Sequence, residues 1–487
     1  MSRRLLLVVM ALAPAHAFAE RNTSTDHGPL PPALVPTATR ITIPTPPVAH
    51  EPVSHVIYLE RCRGGCTVTK SNTNDAQQGL TILPQTPGTH VLTEFQSKDG
   101  VAGAAADVEW NELVACMKTV YSPYDVLITD VKPTEGTYHM AIIAGFPSEV
   151  GFGNDILGVA PLAPNCASLD NVMSFSFANA HPSTLRINNL CWTAAQESAH
   201  AFGLDHTFKF LDGKSTCNDP MTYQIGCGGT RFFRNQPAKC GDFTEKACRC
   251  GSTQNSHQKL IDTFGPGTPT YGNPTASITK PVGQAPLDGT IDGKAFSKRG
   301  VAKVELLVNG FPWVTAKGVD FTLVGQPEAT YPLVYPQTLP DGISDFVVRA
   351  SDDLGAFTDS SIVTRTKGAP CVSADTCATG QRCDAGRCLW DPPVGEIGDS
   401  CDYSQFCKSL SCVGTDPKIC SQDCVPEEDN TCPNGLTCAP LGPPGMGVCY
   451  VETGGGCCSV SSRSVPWLQV GLSAFVFVLV IRRKRRR

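Results

Sequence analysis

Gln196, Glu197, His200, Gly203 and His206 fall within one eleven-residue run, Gln-Glu-Ser-Ala-His-Ala-Phe-Gly-Leu-Asp-His. Positions 196 and 200 are four apart, so on a helix both project from the same face. Gly203 accepts the left-handed conformation that stops a helix, after which the chain can return His206 toward His200. Two imidazoles and a third oxygen or nitrogen donor suit Zn²⁺ with a fourth position open. Glu197, beside the first donor position, is placed to deprotonate a metal-activated water that attacks a metal-polarised peptide carbonyl. Leu190, Ala195, Ala199 and Phe202 alone would make this an ordinary packed helix. Glu, His, Gly and His at these offsets should nevertheless arise by chance only about once per thousand such chains.

The run is followed by Asp219-Pro220-Met221-Thr222-Tyr223. Together the two segments resemble the metzincin zinc metallopeptidases, whose motif HExxHxxGxxH precedes a methionine-bearing turn. The chain has QExxHxxGxxH. The resemblance implies that His200 and His206 ligate zinc, Glu197 is the general base, Gly203 the turn glycine, and Met221 the methionine under the metal. It also implies that Tyr223 ligates zinc or supports the oxyanion. Gln196 stands where the family has its first histidine, and a neutral amide oxygen is a weaker zinc donor than imidazole. Three alternatives stay open: Gln196 ligates, His139 or His181 fills the gap, or the site is a non-catalytic relic. The implied activity is that of a secreted, surface-attached zinc metalloendopeptidase acting on protein substrates. The alternative is a catalytically inactive surface binding or adhesion protein.

The elements that must position these residues are legible upstream. His55–Leu59, Asp125–Thr129, Tyr138–Ile143 and Asn171–Phe177 read as strands. Val108–Val120 has helical spacing through Trp110, Leu113, Val114 and Met117, and Ser122-Pro123 ends it. A second helix is expected over about Asn189–Phe202, capped by Asn188 or Asn189. Residues 54–268 thus predict an α/β fold with a mixed sheet and the motif helix packed on it. Disulfides are expected between Cys62 and Cys66 and between Cys217 and Cys227, the latter bracketing the Met221 loop.

Residues 272–368 alternate at strand period, with Asn309-Gly310 as a hairpin turn and Phe346–Ala350 as a further strand, and predict a β-sandwich. The pattern looks like the immunoglobulin-like modules of bacterial surface proteins, without a core cysteine pair. Residues 371–449 hold twelve of the 24 cysteines and few apolar residues, so covalent closure by six disulfides is expected. A degenerate repeat is visible at Cys371, Cys377, Cys383 and Cys388 and again from Cys401, Cys407 and Cys412. Spacing does not give the pairing.

Both ends read as addresses. Arg3 and Arg4, the apolar run Leu5–Ala13 and Ala17-Phe18-Ala19 make residues 1–19 a secretory signal. Residues 20–53, with eight prolines from Pro29 to Pro52, read as a linker or propeptide. Residues 465–481 carry no charge and are long enough to span a membrane as a helix, and 482–487 are all basic. With Gly454-Gly455-Gly456-Cys457-Cys458 before it, the segment 451–487 resembles the MYXO-CTERM sorting tail of myxobacterial surface proteins. That implies attachment at the cell surface or outer membrane, through the helix or through lipid on a cysteine, with cleavage of the tail left open. Without residues 1–19 and 459–487, 30 basic residues face 45 acidic ones, a net charge of −15. An acidic body argues against nucleic-acid binding. The cysteines argue for an oxidising compartment.

Overall fold

Five strands and two long helices frame the histidine-bearing run. The structure is a computed structural model and describes residues 41–42, 53–211, 215–224, 229–281, 289–318, 328–334, 339, 341–424, 426, 432–433, 435–440 and 447–451. The signal at 1–19, nearly all of 20–53, and the tail with Cys457, Cys458 and the apolar run 465–481 lie outside the described residues. Among the described residues no helix is long and apolar enough to cross a membrane.

In chain order the elements are β1 (Val56–Glu60), α1 (Ala104–Tyr121), β2 (Leu127–Thr129), β3 (His139–Ile143), β4 (Gly158–Val159), β5 (Met173–Ser176) and α2 (Arg186–Ala201). The strands form one mixed sheet ordered β2-β1-β3-β5-β4. Ile57 lies opposite both Ile128 and His139, and Met173 opposite Met140, all in parallel register. The edge strand β4 runs antiparallel, with Val159 opposite Phe175. Strand alternation divides the core in two. Ile57, Leu59, Ala141 and Ile143 meet Trp110, Leu113 and Met117 of α1 and Leu190, Ala194 and Ala195 of α2. Tyr58, Met140, Ile142, Met173 and Phe175 pack on the other face against Val68, Leu83 and Leu92. Sheets buried on both faces need such continuous apolar strands.

Helix α1 buries Trp110, Leu113, Val114 and Met117 as their spacing predicts. Helix α2 departs from expectation, since it begins at Arg186, after Leu185 at φ 49°, and has no asparagine cap. The reason is tertiary. The buried Arg186 guanidinium donates to the carbonyls of Ala178, His181 and Gln96 and to Glu109, at 2.6–3.1 Å, fixing an earlier turn. Asn189 is then inside the helix and donates to Thr184 O at 3.2 Å. The Cys116–Cys191 disulfide joins the two helices across 75 residues. A loop of that length corresponds to about 4.5 kcal/mol in the chain-entropy account.

His139 and His181 are buried, and burial pushes each pKa down to about 3, with Arg186 adding to the effect at His181. From pH 6.5 down to about 3 the unfolded chain takes up protons at these two sites that the folded chain refuses. Their contribution is therefore intact above pH about 6.5 and is lost as pH falls, by about 1.4 kcal/mol per unit for each histidine. Urea denaturation should show a loss of roughly 4 kcal/mol between pH 7 and 5. Equal stability at the two pH values would contradict neutral burial.

The next region is a two-sheet sandwich. Thr275–Lys280, Thr290–Phe296 and Ala329–Val334 form one sheet, and Phe311–Lys317, Lys303–Val308, Gly342–Ser351 and Phe357–Asp359 the other, with Val363–Lys367 also on 342–351. Ile291, Val304, Leu306, Leu333, Phe346 and Val348 fill its core. Asn309 and Gly310, at φ 51° and 86°, make the hairpin turn. The sandwich meets the first domain through a buried ion pair. Arg299 Nε and Nη2 reach the two Asp353 oxygens at 2.5 and 3.0 Å, Asn235 N donates to Asp353 at 3.0 Å, and Arg299 Nη2 donates to Phe233 O at 2.6 Å. Burial works against the Asp353 carboxylate, but Arg299 and Arg234 hold its pKa below the usual range.

The cysteine-rich region carries the same crossed pairing three times. The disulfides are Cys371–Cys383 with Cys377–Cys388, Cys401–Cys412 with Cys407–Cys420, and Cys424–Cys438 with Cys432–Cys449. The groups of three cysteine sulfurs that lie close together here are all disulfide-bonded. In the first domain the pairs between described residues are Cys62–Cys66, Cys116–Cys191, Cys166–Cys250 and Cys240–Cys248.

Candidate metal centre

Trp192, Gln196 and His200 stand at four-residue intervals on α2, and the first two bond the 219–223 turn. Trp192 Nε1 and Gln196 Nε2 donate to one carbonyl, Pro220 O, at 2.8 and 2.9 Å, and Gln196 Nε2 also reaches Thr222 O at 3.3 Å. With its nitrogen held there, Gln196 keeps Oε1 as a buried acceptor that has no hydrogen-bond partner among the described residues.

Helix α2 ends before Gly203, which sits at φ 90°, where a Cβ would come within 2.1 Å of Cys166 O. Only glycine meets both demands. The reversed chain is then held by Asp205, whose oxygens accept His206 N at 2.7 Å and Arg249 N at 3.2 Å. Gln254 bonds the Asp205 backbone at 2.7 and 2.8 Å. The result is that His200 Nε2 and His206 Nε2 lie 2.9 Å apart. His200 Nδ1 faces Leu204 O at 2.7 Å, and His206 Nδ1 faces Asp242 Oδ1 at 2.5 Å. A carbonyl and a carboxylate only accept, so in the neutral rings the proton sits on Nδ1. Each Nε2 then presents a lone pair, and the two lone pairs converge. Imidazoles braced at Nδ1 by an acceptor are the usual form of histidine metal ligands.

Glu197 is fully buried on α2. Its carboxylate packs on the edge strand β4, where a Cβ at Gly158 would fall 2.5 Å from Glu197 Oε1. Gly158→Ala is expected to push Glu197 aside and to cost about 1–3 kcal/mol of overpacking. An unchanged denaturation midpoint would contradict this contact.

Met221 is buried in the helix-side core. Its N–H donates to Asp219 Oδ1 at 2.8 Å, and its carbonyl accepts Thr207 N at 2.9 Å, tying the turn to the residue after His206. Asp219 is enclosed, and burial raises its pKa against the pull of the Arg234 and Met221 amides. The Tyr223 ring lies 4.1 Å from that of His206 and 5.5 Å from Phe243. Cys217 is disulfide-bonded, while Cys227 lies outside the described residues.

The structure thus brings Gln196, Glu197, His200, His206, Met221 and Tyr223 to one place. It does not bring His139 or His181. His139 Nε2 contacts Ser174 Oγ at 3.0 Å, and its ring packs on Phe202 under the end of α2. His181 lies before α2, where its carbonyl accepts from Arg186. Among the described residues, no His, Cys, Asp or Glu joins His200 and His206 in a set of three ligand atoms mutually within 4.8 Å. Sequence reasoning missed Asp242, Gly158 and Trp192. A usable signal existed for Asp242: the short Cys240–Cys248 spacing marks a closed loop, and Asp242 sits in it.

No protein-family model matches the chain, and no curated protein matches it. Among solved structures it is similar to the fibronectin(III)-like modules of CbhA from Clostridium thermocellum, with 21% identity, 22% of this chain and 57% of that one covered, and a TM-score of 0.16. It is also similar to OgpA from Akkermansia muciniphila, with 11% identity, 68% of this chain and 96% of that one covered, and a TM-score of 0.16. The chain therefore spans little more than half of the CbhA modules. At these TM-scores neither likeness carries an inference.

Proposed function

We propose that the chain is a secreted, surface-attached zinc metalloendopeptidase of the metzincin type. The observation that carries this reading is the converging pair of Nε2 atoms, 2.9 Å apart, one of them from the helix that also carries Glu197 and the other from the chain turned back after Gly203. The mixed sheet with one antiparallel edge strand beside Glu197 supports it, since strand, long helix, strands and motif helix occur in the order the resemblance implies.

His200 and His206 would hold Zn²⁺, with Gln196 Oε1, buried and without a hydrogen-bond partner among the described residues, as the third donor. Bound there, zinc would polarise the scissile carbonyl and acidify a water. Glu197 takes the proton from the attacking water as its oxygen bonds the carbonyl carbon. The same carboxyl returns that proton to the amide nitrogen as the C–N bond breaks. Tyr223 stabilises the carbonyl oxygen as it gains negative charge. Asp242 and Leu204 O fix the two imidazoles, and the Met221 turn forms the floor. The immunoglobulin-like sandwich and the crossed-disulfide repeats space the site from the surface, to which the tail attaches the chain by its helix or by lipid.

The test is cleavage of denatured protein substrates by the secreted mature protein. Cleavage should stop on chelation and return with zinc. The rival reading, a non-catalytic surface binding protein, predicts no cleavage even with zinc supplied. Cleavage that ignores chelation would also defeat the proposal.

A further inference from the structure

Among the described residues Cys250 is the one exposed cysteine, and every other is buried or half-buried. It is bonded to the half-buried Cys166, 84 residues earlier in the chain. Both residues line an open cavity of about 370 Å³, beside Gly203, Gln254 and Lys259. An external thiol opens a disulfide only where it can reach one of the two sulfurs. The neighbouring pair, Cys240–Cys248, is buried at both ends.

The two ends of the exposed bond hold the two halves of the turn that returns His206. On the Cys166 side, Leu169 N donates to Ala201 O at 2.8 Å, and Ser168 Oγ donates to Phe202 O at 3.3 Å. Cys166 O is the atom that a Cβ at 203 would strike, so it lies against Gly203. On the Cys250 side, Arg249 N donates to Asp205 Oδ2 at 3.2 Å, and Gln254 bonds both the N–H and the carbonyl of Asp205. Asp205 in turn fixes the His206 amide. Opening Cys166–Cys250 leaves the 249–254 segment held to the turn by hydrogen bonds alone.

We propose that Cys166–Cys250 is a thiol–disulfide exchange site through which a soluble thiol loosens the His206 turn and the metal centre built on it. The consequence for metal rests on the zinc reading, whereas the exchange and the loosening do not. A thiolate attacks the exposed Cys250 Sγ, a mixed disulfide forms there, and Cys166 leaves as a thiolate. The Lys259 ammonium, whose Nζ donates to Cys166 O at 2.9 Å, favours that negative charge. A second thiolate attacks the outer sulfur of the mixed disulfide and releases Cys250. The two external thiols are oxidised to one disulfide. Their two electrons reduce the protein sulfurs, which take up the two protons the thiols gave.

The test exposes the metal-free mature protein to glutathione for graded times, alkylates it, and reads each cysteine by peptide mass spectrometry. Cys166 and Cys250 should be reduced about tenfold faster than any other pair. In the same samples, hydrogen exchange at His206 and Arg249, whose amides donate to Asp205 at 2.7 and 3.2 Å, should quicken about tenfold. Another pair opening first, or unchanged exchange at these amides once Cys166 and Cys250 are reduced, would overturn the proposal. Zinc is then titrated against a competing chelator, without thiol, onto the native protein and the Cys166→Ser, Cys250→Ser double variant. The double variant should bind zinc about tenfold more weakly. Equal zinc affinity in the two proteins would defeat the proposal and keep the zinc reading. No zinc on either protein, with exchange at His206 still responding to glutathione, would defeat the zinc reading and keep the exchange site. The reduced native protein carries the comparison even where the double variant does not fold.

Discussion

Glu197→Gln should lower kcat/KM for peptide hydrolysis by about 10²–10⁴-fold, the range expected for losing a general acid–base group. The change is nearly isosteric, so the amide fits the space that Gly158 leaves beside the Glu197 carboxylate. The histidine pair is braced at Nδ1 by Leu204 O and Asp242, and the Met221 turn by Asp219, so these groups should keep their places. Zinc content and melting temperature should therefore stay near those of the native protein while turnover collapses. Single-turnover cleavage, measured beside metal content, separates these quantities. Activity within fivefold of native would remove Glu197 from the mechanism. A variant that lost both zinc and activity would show that its role is structural.

Gln196→His is expected to tighten zinc binding by about 10–100-fold, because imidazole is a stronger zinc donor than a neutral amide. The present amide spends its nitrogen on Pro220 O and Thr222 O. An imidazole at 196 can donate Nδ1–H to the same carbonyl and turn Nε2 toward His200 and His206, so the floor of the site need not move. Competition with a chromophoric chelator measures the affinity, and turnover at saturating zinc measures the consequence. In the proposed enzyme both proteins are active and the variant needs less metal. Activity confined to the variant would make the natural site a relic. No gain in affinity would mean that position 196 does not face the metal.

The local part of the design was legible in the sequence. Trp110, Leu113, Val114 and Met117 marked the buried face of α1, and Asn309-Gly310 marked a hairpin of the sandwich, because each signal lies within a few residues. The spacing of Glu197, His200, Gly203 and His206 was equally local, and the left-handed Gly203 does turn the chain back. What was missed is long-range. Arg186 shifts the start of α2 by bonding Gln96 O, ninety residues away. Asp242 braces His206 from 36 residues downstream, and only the short Cys240–Cys248 loop around it signals the position. The crossed disulfides follow from how each small hairpin closes on its neighbour, which cysteine spacing does not encode. His139 and His181 were reasonable substitutes by residue type, yet the sheet holds His139 under Phe202, and His181 lies in the turn before Arg186.

The most direct test of the central claim is the zinc stoichiometry of the secreted mature protein, measured by mass spectrometry of the metal after exhaustive dialysis, beside the His200→Ala, His206→Ala double variant. One zinc per chain in the native protein and none in the folded double variant is the predicted result. A folded native protein that takes up no zinc, or a double variant that keeps it, would contradict a metal centre built on the facing histidines.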